Sequence, residues 1–250
     1  MEPKIISQLF ALNRRFYQTF AHPFAETRRR IQPGVRRYVK TLFQQGNWLD
    51  LGCGSGTLAV EWAHDRLPGL YWGADFSQGL LDEAREAVDA LQFDNKNIRF
   101  SMTDFEEKNW ERAFTGTRFD GVALFAVLHH IPGSDLRRNV LQAARSLLPA
   151  GGWLVHSEWQ FQHSPKLMAR RLPWETIGLG EEELEAGDTL LDWRHASVDM
   201  EERTGMRYVH LFSREELLGL AKDCSFEIVD EFESDGNGGR LNLYQTWKAI

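Results

Sequence analysis

The first 22 residues place apolar side chains at helical spacing. The apolar positions that share one face of a helix over residues 4–22 are Ile5, Ile6, Leu9, Leu12, Phe16 and Phe20. Arg14 and Arg15 fall on the other side. Pro23 ends or kinks this helix, and Pro33 opens a second helix that runs to about residue 45. The pattern predicts an amphipathic N-terminal helix whose apolar face is buried against another part of the protein.

Beyond residue 45, short apolar runs alternate with helical runs. They predict strands at 48–50, 70–74, 97–101, 119–125 and 153–158, with helices at 57–63, 77–91 and 135–148 between them. Alternation of this kind predicts an α/β fold with a doubly wound parallel sheet. Ligands bind such sheets at the carboxyl ends of the strands.

Residues 160–206 interrupt this alternation. They contain the acidic run at 181–185 and several tryptophans, and they are expected to form an inserted cap or a substrate loop. Regular order resumes with a helix at 213–222, for which Ser213 is the expected N-cap. Strands at 226–232 and 241–248, joined by a turn at 234–239, predict a final antiparallel hairpin that closes the sheet.

A glycine-rich turn, Asp50-Leu51-Gly52-Cys53-Gly54-Ser55-Gly56, joins the first strand to the helix that follows it. Glycines permit positive φ, and a helix N-terminus after a strand is a common seat for nucleotide-like ligands. The spacing D-x-G-x-G-x-G differs from the G-x-G-x-x-G of dinucleotide-binding folds. The Asp50 carboxylate would repel a pyrophosphate but would suit a positive amino group. The turn therefore predicts S-adenosylmethionine (SAM) rather than NAD or ATP, the alternative being a turn without a ligand.

Acidic residues also follow the second and third predicted strands. Asp75 lies 19 positions beyond the last glycine of the turn, close to the spacing of about 20 at which an acid accepts the hydroxyls of a ribose. Asp104 is placed to accept the adenine amino group, with Phe105 covering the ring. A helix cap or turn is the alternative role for each acid. Because strand ends meet at one edge of a parallel sheet, these residues are expected near Asp50 and His129.

Composition narrows the class of protein. The 250 residues allow one large α/β domain with an insertion, or at most two small ones. No apolar run reaches the roughly 18 residues of a membrane helix, and the first residues do not read as a secretory signal, so a cytoplasmic protein without membrane contact is expected. The two cysteines, Cys53 and Cys224, predict neither a disulfide framework nor a metal site.

Charge is distributed unevenly along the chain. The net charge is −7, yet residues 1–45 hold nine Lys or Arg against two Asp or Glu, while the remaining 205 residues hold 20 against 34. The asymmetry predicts that the basic N-terminal segment either meets an anionic partner or packs on the acidic body of the protein. Three consecutive arginines at 28–30 fit either a solvated face or a phosphate contact.

Taken in order, these motifs resemble the class I SAM-dependent methyltransferases. They are Asp50-x-Gly-x-Gly-x-Gly, Asp75, Asp104, Phe119-Asp120 and Leu148-Pro149-Ala150-Gly151-Gly152. The resemblance covers about residues 46–158 and the terminal hairpin. It implies a seven-stranded, mostly parallel sheet of order 3-2-1-4-5-7-6 with strand 7 antiparallel, an N-terminal helical segment (1–45) packed on the core, and a methyltransferase domain (46–250) with an insertion at about 160–206. The implied cofactor is SAM, with S-adenosylhomocysteine as product.

A narrower resemblance links the flanking segments to the tRNA wobble carboxymethyluridine methyltransferases. It rests on Tyr17-x-x-Phe-Ala-x-x-Phe-x-x-Thr27-Arg28, Pro33-x-Val35, Ala126-Val127-Leu128-His129-His130, Gly187-Asp188-x-Leu-x-x-Trp193 and Arg207-Tyr208-x-His210-x-Phe212. It implies methylation of the carboxymethyl group on a wobble uridine, tRNA contact through the basic segment, and a small activator protein as a further partner. The chain departs from that family at Pro23, Ala25, Gln32 and Leu243.

A carboxylate acceptor is already nucleophilic, so it needs orienting donors rather than a general base. Arg28 offers a planar fork for this purpose. The other candidates for acceptor contacts are Tyr17, His129, Tyr208 and His210, whereas His130 is expected to be structural. The expected cofactor contacts are Asp50, Gly52, Cys53, Gly54, Gly56, Asp75, Phe76, Thr103, Asp104, Phe105, Phe125 and Ala126. Two alternatives are a small-molecule SAM-dependent methyltransferase, which the acidic body favours, and a non-catalytic SAM-binding partner of another enzyme.

Overall fold

The computed structural model describes residues 1–22, 30–92, 96–195 and 203–250. Within these ranges the helices are α1 (Pro3–Thr19), α2 (Pro33–Val39), α3 (Thr57–His64), α4 (Gln78–Asp89), α5 (Ser134–Ser146), α6 (Pro165–Met168) and α7 (Arg214–Asp223). The strands are β1 (Trp48–Leu51), β2 (Tyr71–Asp75), β3 (Ile98–Met102), β4 (Gly121–Phe125), β5 (Trp153–Trp159), β6 (Arg171–Leu172), β7 (Asp188–His195), β8 (Arg203–His210), β9 (Phe226–Ser234) and β10 (Asn242–Ala249). No helix in the described ranges is long and apolar enough to cross a bilayer.

Seven strands form the main sheet, in the order β3-β2-β1-β4-β5-β10-β9. The first five are parallel, whereas β10 runs antiparallel to both β5 and β9. This confirms the expected order 3-2-1-4-5-7-6, since β9 and β10 are the sixth and seventh strands of this sheet along the chain. Asp50 pairs in register with Gly73 on one side and Ala123 on the other, so the carboxyl ends of β1, β2 and β4 meet at one edge.

Helices cover both faces of the main sheet. Along β4, Val122 and Leu124 join a core with α5 and α7, while Ala123 points to the other face and joins a core with α2 and α3. All three side chains are buried. Strands that are buried on both faces are near-continuously apolar, which explains why β4 was recognisable as an apolar run in the sequence.

The predicted insertion contains a small antiparallel sheet of order β6-β7-β8, called the cap sheet here. It receives the apolar face of α1: Ile5 and Leu9 pack in a cluster with Leu190. Further along α1, the rings of Phe16 and Phe20 lie 5.4 and 4.9 Å from the Trp193 ring. The burial of this face of α1 is therefore confirmed.

Candidate active site

A cavity of ≈ 240 Å³ lies at the carboxyl ends of β1, β2 and β4. Its walls come from the glycine turn, the strand ends, α1 and the start of β10. Eleven of the twelve expected cofactor residues line it: Asp50, Gly52, Cys53, Gly54, Asp75, Phe76, Thr103, Asp104, Phe105, Phe125 and Ala126. The twelfth, Gly56, is the N-cap of α3 and does not line the cavity.

Glycine is required at Gly54 and Gly56 for different reasons. Gly56 is the N-cap of α3 with φ of +73°, and a Cβ there would come within 2.6 Å of the Ala84 Cβ on α4. Gly54 has φ of +54°, and a Cβ there would meet no atom within 4 Å. Gly56 therefore lets two helices approach, whereas Gly54 shapes a turn that leaves space for a ligand.

The end of β4 has an unusual backbone. Ala126 adopts φ of +57°, which is uncommon for a residue with a Cβ. Its N–H donates to the carbonyl oxygen and to Oγ of Ser157, both at 3.0 Å. Strained backbone of this kind concentrates at binding sites, and here it forms part of the cavity wall beside Phe125.

Asp75 braces the glycine turn from the end of β2. Its Oδ2 accepts the Gly54 N–H at 2.9 Å, and its Oδ1 accepts the Ser77 N–H at 2.9 Å. The N-cap of α4 is Ser77, whose Oγ accepts the Leu80 N–H, so the alternative role of Asp75 as that cap is not observed. Burial raises the pKa of Asp75 to about 6 even though these backbone donors favour the charged form.

Asp50 is the second buried acid of the cavity. Burial raises its pKa to about 7, while a hydrogen bond from the Tyr71 hydroxyl at 2.6 Å opposes the rise and the charge of Asp75 adds to it. Two neighbouring carboxyls with raised pKa values in one cavity are typical of a functional site. A positively charged ligand would offset the free energy needed to ionise them.

The third acid, Asp104, pairs with a side chain of α1. Its Oδ2 lies 2.7 Å from Nη2 of Arg14, which also contacts Glu106. The Arg14 guanidinium carbon is 5.7 Å from the centre of the Phe76 ring. The sequence pattern put Arg14 on the side of the helix away from its apolar face. In the structure Arg14 lines the cavity, where Asp104 and Glu106 pair with it.

One stripe of α1 faces the cavity: Phe10, Asn13, Arg14 and Tyr17. The Asn13 side chain is buried, accepts the Tyr208 N–H at 2.8 Å and donates to the Tyr208 carbonyl at 3.1 Å. It also lies 3.0 Å from the carbonyl oxygen of His130, to which it donates. The Asn13 side chain thus makes the two backbone hydrogen bonds to Tyr208 that a residue of a neighbouring strand would make. These bonds hold α1 against the cap sheet.

Tyr17 and His130 form a pair in the cavity wall. The Tyr17 hydroxyl lies 2.8 Å from Nε2 of His130, and Nδ1 of His130 lies 3.2 Å from the Tyr208 carbonyl oxygen. A carbonyl oxygen can only accept, so Nδ1 carries the proton and Nε2 accepts the Tyr17 hydroxyl. Tyr17 lines the cavity as expected, whereas His130, expected to be structural, lines it too.

Three residues that were expected to contact the acceptor do not line the cavity: His129, Tyr208 and His210. His129 is fully buried, with Nδ1 2.9 Å from Oε2 of Glu158. The Tyr208 hydroxyl donates to Oδ1 of Asp188 at 2.7 Å, and Nδ1 of His210 lies 2.7 Å from the same oxygen. The physical reason is that a buried carboxylate requires hydrogen-bonding or charged partners, and these side chains supply them.

Arg28, the remaining acceptor candidate, lies outside the described residues, together with the rest of 23–29. Its expected role stays a prediction.

The hairpin between β9 and β10 contributes residues that sequence reasoning missed. Asp235 is buried with φ of +70° and accepts four donors: the Gly34 N–H at 3.0 Å, the Asn242 amide at 2.7 Å, the Tyr244 hydroxyl at 2.5 Å and the Ser234 hydroxyl at 3.2 Å. Asn242 and Tyr244 line the cavity. The only local signal was the Asp235-Gly236 dipeptide, which indicates a turn whether or not its carboxylate is used.

A carboxylate-rich cluster lies away from the cavity. Ligand-type atoms of Glu185, Asp188 and His210 lie within 4.8 Å of one another. Both ring nitrogens of His210 contact carboxylates, at 2.7 Å from Asp188 and 3.0 Å from Glu216, and Arg137 lies 2.6 Å from Glu185. These five residues are called the His210 network. Its three carboxylates contact two side chains of the protein, Arg137 and His210.

The family assignment follows from a comparison that covers most of the chain. Residues 24–231 match the model of a family described as a methyltransferase domain. The chain belongs to this family.

Two curated relatives match parts of the methyltransferase. It is 30% identical over 130 residues to a probable non-canonical nonribosomal peptide synthetase, CymA, from Salinispora arenicola, covering 52% of this chain and 2% of that one. It is 30% identical over 117 residues to the probable methyltransferase ltbC from Aspergillus luteorubrus, covering 46% of this chain and 40% of that one. The chain therefore spans less than half the length of either relative.

A solved structure shares the fold across nearly the whole methyltransferase. The crystal structure of a SAM-dependent methyltransferase from Clostridium acetobutylicum superimposes with a TM-score of 0.64 at 16% sequence identity, covering 93% of this chain and 98% of that one. The class I methyltransferase fold expected from the sequence is thereby confirmed.

The cavity fits SAM, the cofactor expected from the sequence. Three strand-end acids surround the glycine turn, where the space beside Gly54 lets a ligand approach the backbone. Oγ1 of Thr103 is buried in the same wall and has no hydrogen-bond partner among the described residues. The cavity thus offers carboxylates for hydroxyl and amino groups and an unsatisfied hydroxyl of its own.

Proposed function

We propose that the methyltransferase transfers the methyl group of SAM to a small-molecule acceptor that binds beside Tyr17, His130 and Tyr244. The observation that carries the proposal is that three cations in the described part of the basic N-terminal segment pair with acids of the rest of the protein. Arg36 lies 2.8 Å from Glu61, Arg37 lies 3.0 Å from Asp230, and Arg14 is held by Asp104. Side chains that bind a nucleic acid must be able to reach phosphates, whereas these three are engaged with the acidic body.

In this proposal the strand-end acids bind the cofactor. Asp75 accepts the ribose hydroxyls, Asp104 accepts the adenine amino group, and Asp50 faces the amino group of the methionine moiety. SAM supplies a methyl group on a positively charged sulfur, which becomes a neutral thioether after transfer. The chain contributes position and exclusion of water, which α1 provides by covering the cavity between Phe10 and Tyr17.

A carboxylate acceptor, including the carboxymethyl group on a tRNA wobble uridine, is the second candidate. Its support is that Arg30 lines the cavity and lies two positions after Arg28, the cation expected to orient such a group. A planar guanidinium binds a carboxylate through two parallel hydrogen bonds. If this candidate is correct, cations of the basic segment bind the acceptor instead of pairing with acidic residues of the protein.

Methyl-labelled SAM separates the candidates. The protein is incubated with bulk tRNA or with the small-molecule fraction of a cell extract, and each product is then treated with alkali. Methyl esters release labelled methanol in alkali, whereas methyl ethers and methylamines keep the label. We expect alkali-stable label in the small-molecule fraction. Label that alkali releases, in either fraction, would support the carboxylate acceptor, whereas alkali-stable label in tRNA would contradict both candidates.

The control for this assay is Asp75→Ala at a SAM concentration below saturation. This variant lacks the carboxylate that is proposed to hold the ribose, so it should transfer less label to whichever fraction contains the acceptor. Equal transfer by the variant would indicate that the label comes from a contaminating enzyme or that Asp75 does not bind the cofactor.

A further inference from the structure

The polar side chains on the acceptor side of the cavity each donate a hydrogen bond to another group of the protein. The Asn242 amide and the Tyr244 hydroxyl both donate to Asp235, at 2.7 and 2.5 Å. Because an ionised carboxylate only accepts, the orientation of the Asn242 amide is fixed, and its Oδ1 has no hydrogen-bond partner among the described residues. Tyr244 therefore keeps only lone pairs for a ligand, and Asn242 keeps its Oδ1 and one N–H.

The Tyr17 hydroxyl, in the wall formed by α1, also donates its hydrogen to a group of the protein. It donates to Nε2 of His130, whose Nδ1–H is held by the Tyr208 carbonyl. Toward a ligand, the phenolic oxygen of Tyr17 then acts as a hydrogen-bond acceptor. A cavity lined by acceptors of this kind favours an acceptor substrate that brings its own O–H or N–H.

We propose that Tyr17 and His130 form a proton relay that serves as the general base for methyl transfer to a hydroxyl or amino group. The proposal rests on the function proposed above and names the class of its acceptor. Tyr17 is the catalytic residue that contacts the substrate, and His130 holds the proton behind it. Asn242 and Tyr244 accept the remaining hydrogens of the acceptor.

The transfer balances through these two side chains. The proton of the acceptor O–H or N–H moves to the phenolic oxygen of Tyr17, and the Tyr17 proton moves to Nε2 of His130. The electron pair left on the acceptor atom forms the bond to the methyl carbon, whose former bonding pair stays on the thioether sulfur. His130 ends as an imidazolium with Nδ1–H still on the Tyr208 carbonyl, and it later releases one proton to solvent.

Several groups of the described residues face His130 from neighbouring elements. Tyr17 faces it from α1, and the Tyr208 carbonyl faces it from β8. The His129 ring lies 4.4 Å from the His130 ring, with its Nδ1 held by Glu158. The Trp159 ring, 5.9 Å from the His130 ring, is also contacted by the Arg207 guanidinium at 5.0 Å.

The first test uses Tyr17→Phe, His130→Gln and the double variant with the acceptor fraction identified above. Glutamine keeps a hydrogen-bond acceptor for Tyr17 but cannot take up a proton. Each single variant should lower kcat by about 10²-fold to 10⁴-fold, while SAM affinity in calorimetry stays at the wild-type value. Because the two residues act as one unit, the double variant should be no slower than the slower single variant.

Two control variants remove similar groups elsewhere. Tyr38→Phe deletes a buried hydroxyl that contacts Thr246 at 3.0 Å, and His64→Gln deletes an exposed imidazole beside Asp65. Both should keep wild-type kcat. In the wild type, kcat should fall in acid as His130 becomes protonated, and this fall should be absent from His130→Gln. An unchanged kcat in Tyr17→Phe, or losses that multiply in the double variant, would overturn the relay.

The second test needs no acceptor. In nitrogen-15 histidine spectra of the free protein, the His130 signals, assigned from their loss in His130→Gln, should show a proton on Nδ1 and none on Nε2 when the ring is neutral. Tyr17→Phe should shift the Nε2 signal because a hydrogen bond to it is lost. A neutral ring that carries its proton on Nε2 could not accept from Tyr17, and the relay would be rejected.

The two tests distinguish failure of the relay from failure of the proposed function. If the wild type esterifies a carboxylate or modifies tRNA, the small-molecule hydroxyl or amine acceptor is wrong whatever the spectra show. If it produces alkali-stable label but Tyr17→Phe retains full kcat, the function stands and the relay fails.

Discussion

At the scale of single residues, the glycine turn and Asp75 depend on each other. Asp75 accepts the Gly54 N–H at 2.9 Å, and Gly54 adopts a positive φ that directs this N–H toward β2. The carboxylate thus holds the turn in the conformation that borders the cavity. A change at Asp75 should affect the cofactor both directly and through the turn.

Asp75→Ala should weaken SAM binding by about 1.5–3 kcal/mol, the usual range for lost hydrogen bonds to a charged group. Isothermal titration calorimetry of the purified protein measures this directly. Asp89→Ala is the matched control, since Asp89 is an exposed acid at the end of α4. Wild-type affinity in Asp75→Ala would show that this carboxylate does not hold the cofactor.

SAM affinity should also depend on pH. A carboxyl must be ionised to accept two hydroxyls or to pair with an amino group, and burial raises the pKa of Asp75 to about 6 and that of Asp50 to about 7. In the free protein both groups hold protons below these values, so affinity should be weakest in acid and should rise as the pH passes from about 5 to about 7.5.

Calorimetry across this pH range checks the prediction, with Asp50→Asn as the diagnostic variant. Asparagine keeps the size of the side chain but cannot ionise, so the rise near pH 7 should disappear while the rise near pH 6 remains. An affinity that does not vary with pH in the wild type would mean that these carboxyls bind the cofactor equally well in both protonation states.

At the scale of elements, the hairpin of β9 and β10 holds the N-terminal segment to the main sheet. Asp235 accepts the N–H of Gly34 at the start of α2 as well as the two cavity side chains of β10. Gly34 also packs against Tyr244 so closely that a Cβ would come within 2.2 Å of the ring. The carboxylate of Asp235 therefore holds in place the part of the cavity wall that Asn242 and Tyr244 form.

Asp235→Asn should lower the free energy of unfolding by about 1–3 kcal/mol, because one buried donor then faces an NH₂ group. Asparagine tolerates the positive φ of this position, so backbone strain does not contribute. Urea denaturation measures the change. Asp230→Asn, in an exposed acid of the same hairpin that pairs with Arg37, should change stability by less than about 1 kcal/mol. Equal effects of the two substitutions would contradict a special role for Asp235.

Local patterns in the sequence predicted the sheet and the cofactor half of the cavity. Apolar runs, helix starts and the glycine turn each depend on neighbouring residues, so β1, β2 and the position of Asp75 could be placed in advance. Arg14 and Asp235 could not, since each is defined by partners 90 and 201 positions away, at Asp104 and Gly34. The spacing of Phe10, Asn13, Arg14 and Tyr17 was a usable signal, because a polar Asn within an apolar helix face requires a partner.

The adjacent histidines show a second limit of sequence reasoning. His129 and His130 lie in one turn of 3₁₀ helix, so their side chains point in different directions. His129 turns inward to Glu158 and His130 turns to the cavity. Sequence alone could not assign these directions: His129 was expected at the acceptor, yet it is His130 that lines the cavity.

At the scale of the whole molecule, the His210 network joins the cap sheet to the main domain. Glu185, Asp188 and His210 belong to the cap side, whereas Arg137 lies on α5 and Glu216 on α7. The Glu185 carboxylate also accepts the N–H of Ser134 at the start of α5. Protonation of His210 should therefore affect how firmly the cap is held and, with it, the stability of the whole chain.

Burial lowers the pKa of His210, but hydrogen bonds to Asp188 and Glu216 outweigh it, and the net shift is upward. A raised pKa in the folded state means that the contribution of His210 to stability is complete below its unfolded pKa of about 6.5 and is lost as pH rises through the folded value. Asp50 and Asp75, whose pKa values are also raised, reduce stability as pH rises from about 4 to about 7. The effect of His210 must therefore be measured as a difference between variants.

The measurement is the free energy of unfolding of the wild type minus that of His210→Gln, from urea titrations at a series of pH values. This difference should be largest in mild acid and should shrink as the pH rises beyond about 6.5. His64→Gln is the control, because His64 is an exposed histidine beside Asp65 and its difference curve should be nearly flat. A His210 difference that grows with pH would mean that the ring is held in its neutral form, and the network would then join the cap to the domain through hydrogen bonds without a charge on His210.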